Sequence, residues 1–194
     1  MEKNRGYTLV EMLIVIAIMA ILAGLSMFSV GIIRDAKRSA AINTFDNQLS
    51  SCLVKTKATS EVATSTDKVV CMYVYRRTVG TKSNYCIKIG YEVTDGVQDI
   101  TDSSVIVGAS GTYAAANSVD TNWDAVLPKD VTDIDFNGTS IGLGKIIKFN
   151  KSDGSVSPGG AGTYTFYKGG TKDDGGTAYA SIYLDEKTGN HYIK

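Results

Sequence analysis

The chain has 194 residues, with 20 basic and 20 acidic side chains and a formal net charge of +0. Whole-molecule electrostatics therefore favour neither nucleic acid nor an anionic membrane surface, and the length allows one domain with a modest core. With one histidine and no C-x-x-C pair among three cysteines, neither a Cys/His zinc site nor a Ser/His/Asp set can be argued. No catalytic residue, metal or cofactor is expected.

The first element is an apolar helix. Every residue from Met12 to Ile33 is apolar or small apart from the hydroxyls of Ser26 and Ser29, a run of 22 residues. At about 1.5 Å per residue it would measure about 33 Å, enough for a hydrocarbon core of about 30 Å. A secretory signal peptide has a shorter apolar region, about 7–15 residues, and ends at a small-x-small cleavage site. Here the run continues into a second helical pattern, so that alternative fails. Lys3 and Arg5 precede the run, and Arg34, Lys37 and Arg38 follow it; charge bias leaves the orientation open.

Beyond the run, Phe45, Leu49, Cys52, Leu53 and Thr56 fall on one stripe, with Asp46, Asn47, Lys55 and Lys57 on the other face. This spacing predicts an amphipathic helix. Ala36, Ala40 and Ala41 join the two halves without a breaker, so one helix is expected from about Thr8 to about Thr59. Its second half needs a sheet to cover it. Glu11 is the anomaly. It is a lone carboxylate at the start of an otherwise apolar segment, where a charge at bilayer depth costs about 2.5–3.5 kcal/mol on insertion scales.

Gly6-Tyr7-Thr8-Leu9-Val10-Glu11, after a short basic leader and before the apolar helix, resembles the class III signal of type IV pilins and pseudopilins. The resemblance covers about the first thirty residues. It implies cleavage between Gly6 and Tyr7 by a membrane-embedded aspartyl prepilin peptidase and methylation of the new amine of Tyr7. It also implies that Glu11 pairs with the cationic N-terminus of a neighbouring subunit, setting the axial step between helices. Each ion's burial cost is offset only by pairing, so Glu11 would act as a registry device. The competing reading is a glutamate that snorkels to the interface. Two departures stand out: Tyr7 replaces the usual Phe, and the span lacks the mid-helix Pro of many major pilins. Gly24 and Gly31 are the sites where the helix would loosen instead, unless these small residues serve close helix packing.

The remainder reads as strands. "KVVCMYVYR" and "NYCIKIGYEV" flank "RTVGTKSN" and predict a hairpin, with Ile87, Ile89, Tyr91 and Val93 on its apolar face and Lys88 and Glu92 on the other. Cys71 and Cys86 lie about symmetrically around that loop, which suggests a cross-strand disulfide. A bridge from Cys52 to either is the competing arrangement, and one cysteine is left over in each case. Residues 95–130 are polar and aperiodic and predict a surface loop with a short helix around Trp123 to Leu127. "KIIKFNKSDGSV", "TYTFYK", "AYASIYLD" and "NHYIK" then predict four strands, one with an Asp-Gly turn. Phe149, Gly154 and the closing "IYLDEKTGNHYI" resemble the C-terminal sheet of H-type minor pseudopilins and their pilus counterparts. Many pilins carry a disulfide near the C-terminus; here no cysteine follows Cys86.

Other constellations have ordinary explanations. Asp130, Asp133, Asp135, Asp173 and Asp174 could supply oxygens to calcium, but Asp and Gly are the expected residues of turns. Asn137-Gly138-Thr139 matches a glycosylation pattern and is equally a hairpin turn. Asn150-Lys151-Ser152 also matches the pattern. His191 reads as a half-exposed strand residue. The eleven tyrosines suit sheet packing.

The expected architecture is α+β: a long N-terminal helix packed on an antiparallel sheet head. It divides into a leader at 1–6, a transmembrane or assembly helix at 7–33, an amphipathic half at 34–60 and a β-rich head at 61–194. The resemblance implies a structural, non-enzymatic subunit, held as a single-pass inner-membrane prepilin with its head outside and then polymerised at the surface with itself or other pilins. Its partners would be the prepilin peptidase, an assembly platform protein and a motor ATPase, in a pilus for adhesion, motility or DNA uptake. Alternatives are an H-type minor pilin, a secretion or competence pseudopilin, or, outside the class, a monomeric membrane-tethered binding protein. Binding of DNA requires a basic stripe, and only scattered lysines are present.

Overall fold

The computed structural model describes residues 7–59, 69–79, 82–93, 96–99, 106–108, 123–142 and 144–194. Contacts divide the chain into two compact units, Met1–Lys37 and Arg38–Lys194. One helix, α1, runs over Leu9–Ala58, within a residue of the bounds the sequence predicts. In the first unit every described side chain from Leu9 to Leu25 is exposed. Leu9, Val10 and Met19, on different faces of the helix, are 82%, 64% and 65% accessible.

The second unit holds the core. Ala41, Ile42, Phe45, Leu49 and Cys52 are buried on one stripe of α1, the three-and-four spacing that gathers side chains on one helix face. Thr56 completes the stripe, its buried hydroxyl donating to the Cys52 carbonyl at 2.8 Å. Lys55 and Lys57 in the last turn complement the negative end of the helix dipole.

Two antiparallel sheets meet this stripe. The first is built on the hairpin of β1 (Val70–Val79) and β2 (Lys82–Val93). Next to β2 come β3 (Gly96–Asp99) and then β4 (Ile106–Gly108). β5 (Ala125–Val126) also pairs with β2. The second sheet contains β6 (Asp133–Phe136) and β7 (Thr139–Ser140), β9 (Gly162–Lys168), β10 (Thr177–Leu184) and β11 (His191–Ile193). Its order is β11-β10-β9-β6-β7, while β8 (Gly144–Lys148) joins the first sheet beside β1. Met72, Val74, Ile87 and Ile89 of the first sheet and Ile134, Tyr164, Phe166 and Ile182 of the second join the α1 stripe in one core. Phe45 is at its centre, with ring centroids 5.3 Å from Tyr164 and 5.2 Å from Phe166.

The expected hairpin, the Asp-Gly turn and the four C-terminal strands are all present, and the second sheet is closed by tight turns. Asn137 and Gly138 carry φ of 50° and 92°, the left-handed pair that a two-residue hairpin needs. Gly189 is forced by proximity, since a Cβ there would lie 2.1 Å from the Gly154 carbonyl oxygen, and Gly154 by its φ of 79°. The "KSDGS" and "EKTGN" turns thus pack backbone on backbone.

Four expectations are corrected. Residues 123–127 form no helix: Ala125 and Val126 pair with Ile87 and Cys86 of β2. The 95–130 segment, where described, also supplies β3 and β4, so it is not a plain loop. Lys88 does not lie on a solvated face. It is buried, 3.9 Å from Asp124, because a second apolar layer of Cys71, Tyr73, Tyr75, Cys86 and Val97 covers that side of the sheet. Asp133 and Asp135 are buried strand residues, not turn residues.

The central place of Phe45 gives a direct test. Phe45→Ala should destabilise the full-length protein by about 3–5 kcal/mol in urea unfolding, whereas Asn47→Ala, on the exposed face, should stay within about 0.5 kcal/mol.

Candidate functional site

The site begins at the start of α1. Tyr7 is 80% accessible and non-helical; Gly6 and the basic leader lie outside the described residues. Thr8 is the N-cap, since its carbonyl accepts the first helical bond, from the Met12 N–H at 3.2 Å. Its backbone N–H donates to Glu11 Oε2 at 2.8 Å and its hydroxyl to the same oxygen at 3.0 Å. The Glu11 N–H in turn donates to the Thr8 hydroxyl at 3.2 Å. This reciprocal arrangement is a capping box, which satisfies two N–H groups that a helix start otherwise leaves unpaired. The signal was present in the sequence as Thr8-x-x-Glu11.

Glu11 therefore does not stand out sideways from an apolar helix. It lies over the first turn, in the positive field of the helix N-terminus, at the level of the residue that would carry the new amine.

Residues 1–27 match the family model described as the prokaryotic N-terminal methylation motif. The chain carries the N-terminal signal of a type IV pilin-like or pseudopilin precursor. In such a precursor the motif implies processing by a prepilin peptidase and passage into a filament system. No curated protein and no solved structure matches the chain. The pilin-like helix is apolar over Met12–Ile33 in sequence; among the described residues no helix is long and apolar enough to cross a membrane.

The Cys71–Cys86 bridge expected in this pilin-like head does not form, and all three cysteines are free thiols. Cys71 pairs with Gly90, while Cys86 pairs with Tyr75 four residues further along β1. At about 3.4 Å per residue this places them about 14 Å apart along the strands, beyond the roughly 7 Å that a disulfide spans. Cys52 belongs to the core under α1, and the other two to the layer on the sheet's far face. Burial pushes the Cys52 and Cys71 thiols up to about 12 and Cys86 to about 11.

The structure does assemble a serine, a histidine and an aspartate. His191 Nε2 lies 3.1 Å from Asp46 Oδ1 and 3.3 Å from Ser50 Oγ. A proton relay needs acid and nucleophile on opposite ring nitrogens. Here both groups share Nε2, and the buried Nδ1 has no hydrogen-bond partner among the described residues. Asp46 and Ser50, four apart on one helix face, instead brace β11 to α1.

The acidic cluster is likewise engaged. Asp133 Oδ1 accepts from the Tyr85 hydroxyl at 3.1 Å and from Ser140 Oγ at 2.7 Å, and Lys172 Nζ lies 3.3 Å from Asp135 Oδ2. Among the described residues no three His, Cys, Asp or Glu side chains converge as metal ligands. The cation beside Asp135 is the Lys172 ammonium.

Thiol reactivity tests this description. At pH 8 the folded protein should resist alkylation at all three cysteines while the denatured chain reacts at every one, because the thiolate is the reactive form. The intact mass should be that of the fully reduced chain.

Proposed function

We propose that this chain is a structural subunit of a type IV pilus or related filament, with no catalysis of its own. It is made as a prepilin and held in the inner membrane by residues 7–33 with its head outside. It is cut between Gly6 and Tyr7, methylated on the Tyr7 amine and polymerised through α1 by an assembly platform and a motor ATPase. Its surroundings change from lipid to neighbouring helices, and the head reaches the cell surface.

One observation carries the reading: the described residues 9–25 of α1 expose apolar side chains on every face, beside a methylation motif at 1–27. Covering each such Leu, Ile or Val is worth about 1.5–3 kcal/mol. Lipid or a bundle of like helices supplies that cover. Within the bundle the Glu11 carboxylate would meet the cationic amine of a neighbour's Tyr7. This pairing separates a filament subunit from a membrane-tethered monomer, which has no use for a carboxylate at that depth.

Mass spectrometry of the native N-terminus should find N-methyl-Tyr7 and no residues 1–6; an intact Gly6–Tyr7 bond would favour the tethered monomer. Glu11→Ala should lower the yield of sheared filaments at least about tenfold, a loss of about 1.4 kcal/mol or more, while the head keeps its unfolding transition. Normal yield from that variant would contradict the proposal.

A further inference from the structure

Thr8 and Glu11 are joined by three hydrogen bonds, two of them donated by Thr8 to the single oxygen Oε2. We infer that Thr8 is the positioning residue for Glu11. It holds the carboxylate back over the helix start in the lone subunit and leaves Oε1, which takes no part in the box, to receive a neighbour's cation. This rests on the filament reading above and deepens it.

The argument is geometric. A glutamate at the third helical position reaches its own N-cap because helical side chains lean toward the N-terminus. Thr8 then fixes both where the charge sits and which oxygen is engaged. Every atom of the box lies after the Gly6–Tyr7 bond, and the Thr8 N–H stays an amide when that bond is cut. Processing adds a cation one residue before the cap without dismantling the cap.

The carboxylate is thus never bare. Two bonds to an ionised acceptor, stronger than neutral ones, hold it before assembly, and polymerisation adds a partner on the other oxygen. The residue type matters: valine keeps the shape of threonine but supplies neither the hydroxyl donor nor the acceptor, whereas serine supplies both.

The test uses the full chain in the cells that assemble it, with Thr8→Val, Thr8→Ser and Glu11→Ala side by side. Thr8→Val should be cut and N-methylated at Tyr7 as the unaltered chain is, yet give about five-fold fewer sheared filaments, the factor that loss of a cap corresponds to. In the micelle-solubilised subunit its Glu11 amide should exchange hydrogen faster. Thr8→Ser should restore both readouts to within about two-fold. Unchanged yield in Thr8→Val, loss of the cut together with the yield, or no rescue by serine would each overturn the positioning role. Normal assembly of Glu11→Ala would overturn the filament reading itself, whereas a failed Glu11→Ala beside a normal Thr8→Val would overturn only the role of Thr8.

Discussion

An anion at the head of an apolar helix has to be matched. Glu11 precedes the apolar run Met12–Ile33, and leaving its charge unpaired in a low-dielectric setting costs several kcal/mol. Inside the subunit the match is local: Thr8 and the helix dipole hold one carboxylate oxygen. That arrangement satisfies the helix end but leaves the net charge in place. A complementary cation is what a neighbour's trimmed N-terminus would bring in the proposed filament, so one residue links processing to helix register.

The second unit meets a different demand with the same helix. From Arg38 onward α1 buries a single stripe, and the sheets converge on it through Phe45. His191 extends the grip to the last strand by contacting Asp46 and Ser50, and the paired turns at Gly154 and Gly189 close the same region. Asp153 and Asp185 hold those turns. Hydrogen bonds from Ser155 to Asp153 and from Thr188 to Asp185 keep both carboxyls below the ordinary range. Their contribution is therefore present at neutral pH and lost as pH falls through those lowered values.

Much of this was legible in the sequence, for identifiable reasons. The helix bounds followed from an unbroken run with no proline and from the three-and-four stripe at Phe45, Leu49 and Cys52. The C-terminal strands followed from alternation between Gly-bearing turns. The Cys71–Cys86 bridge failed because the two cysteines are not equidistant from the hairpin's centre between Val79 and Lys82: Cys71 falls opposite Gly90 and Cys86 opposite Tyr75. Lys88 failed because alternation along one strand says nothing of a further layer beyond it; Tyr73, Tyr75 and Val97 supply that layer from elsewhere in the chain. In sequence Asp133 and Asp135 read as turn residues because their partners, Tyr85, Ser140 and Lys172, are distant in sequence or on another strand. The Thr8–Glu11 box needed no tertiary information, since its spacing alone encodes it.

The most direct measurement is a density map of the assembled fibre at a resolution that places side chains. The account predicts the methylated Tyr7 nitrogen of one subunit within about 4 Å of the Glu11 carboxylate of another, the range of an ion pair. A Glu11 carboxylate with no cationic group from any adjacent subunit in reach would contradict it.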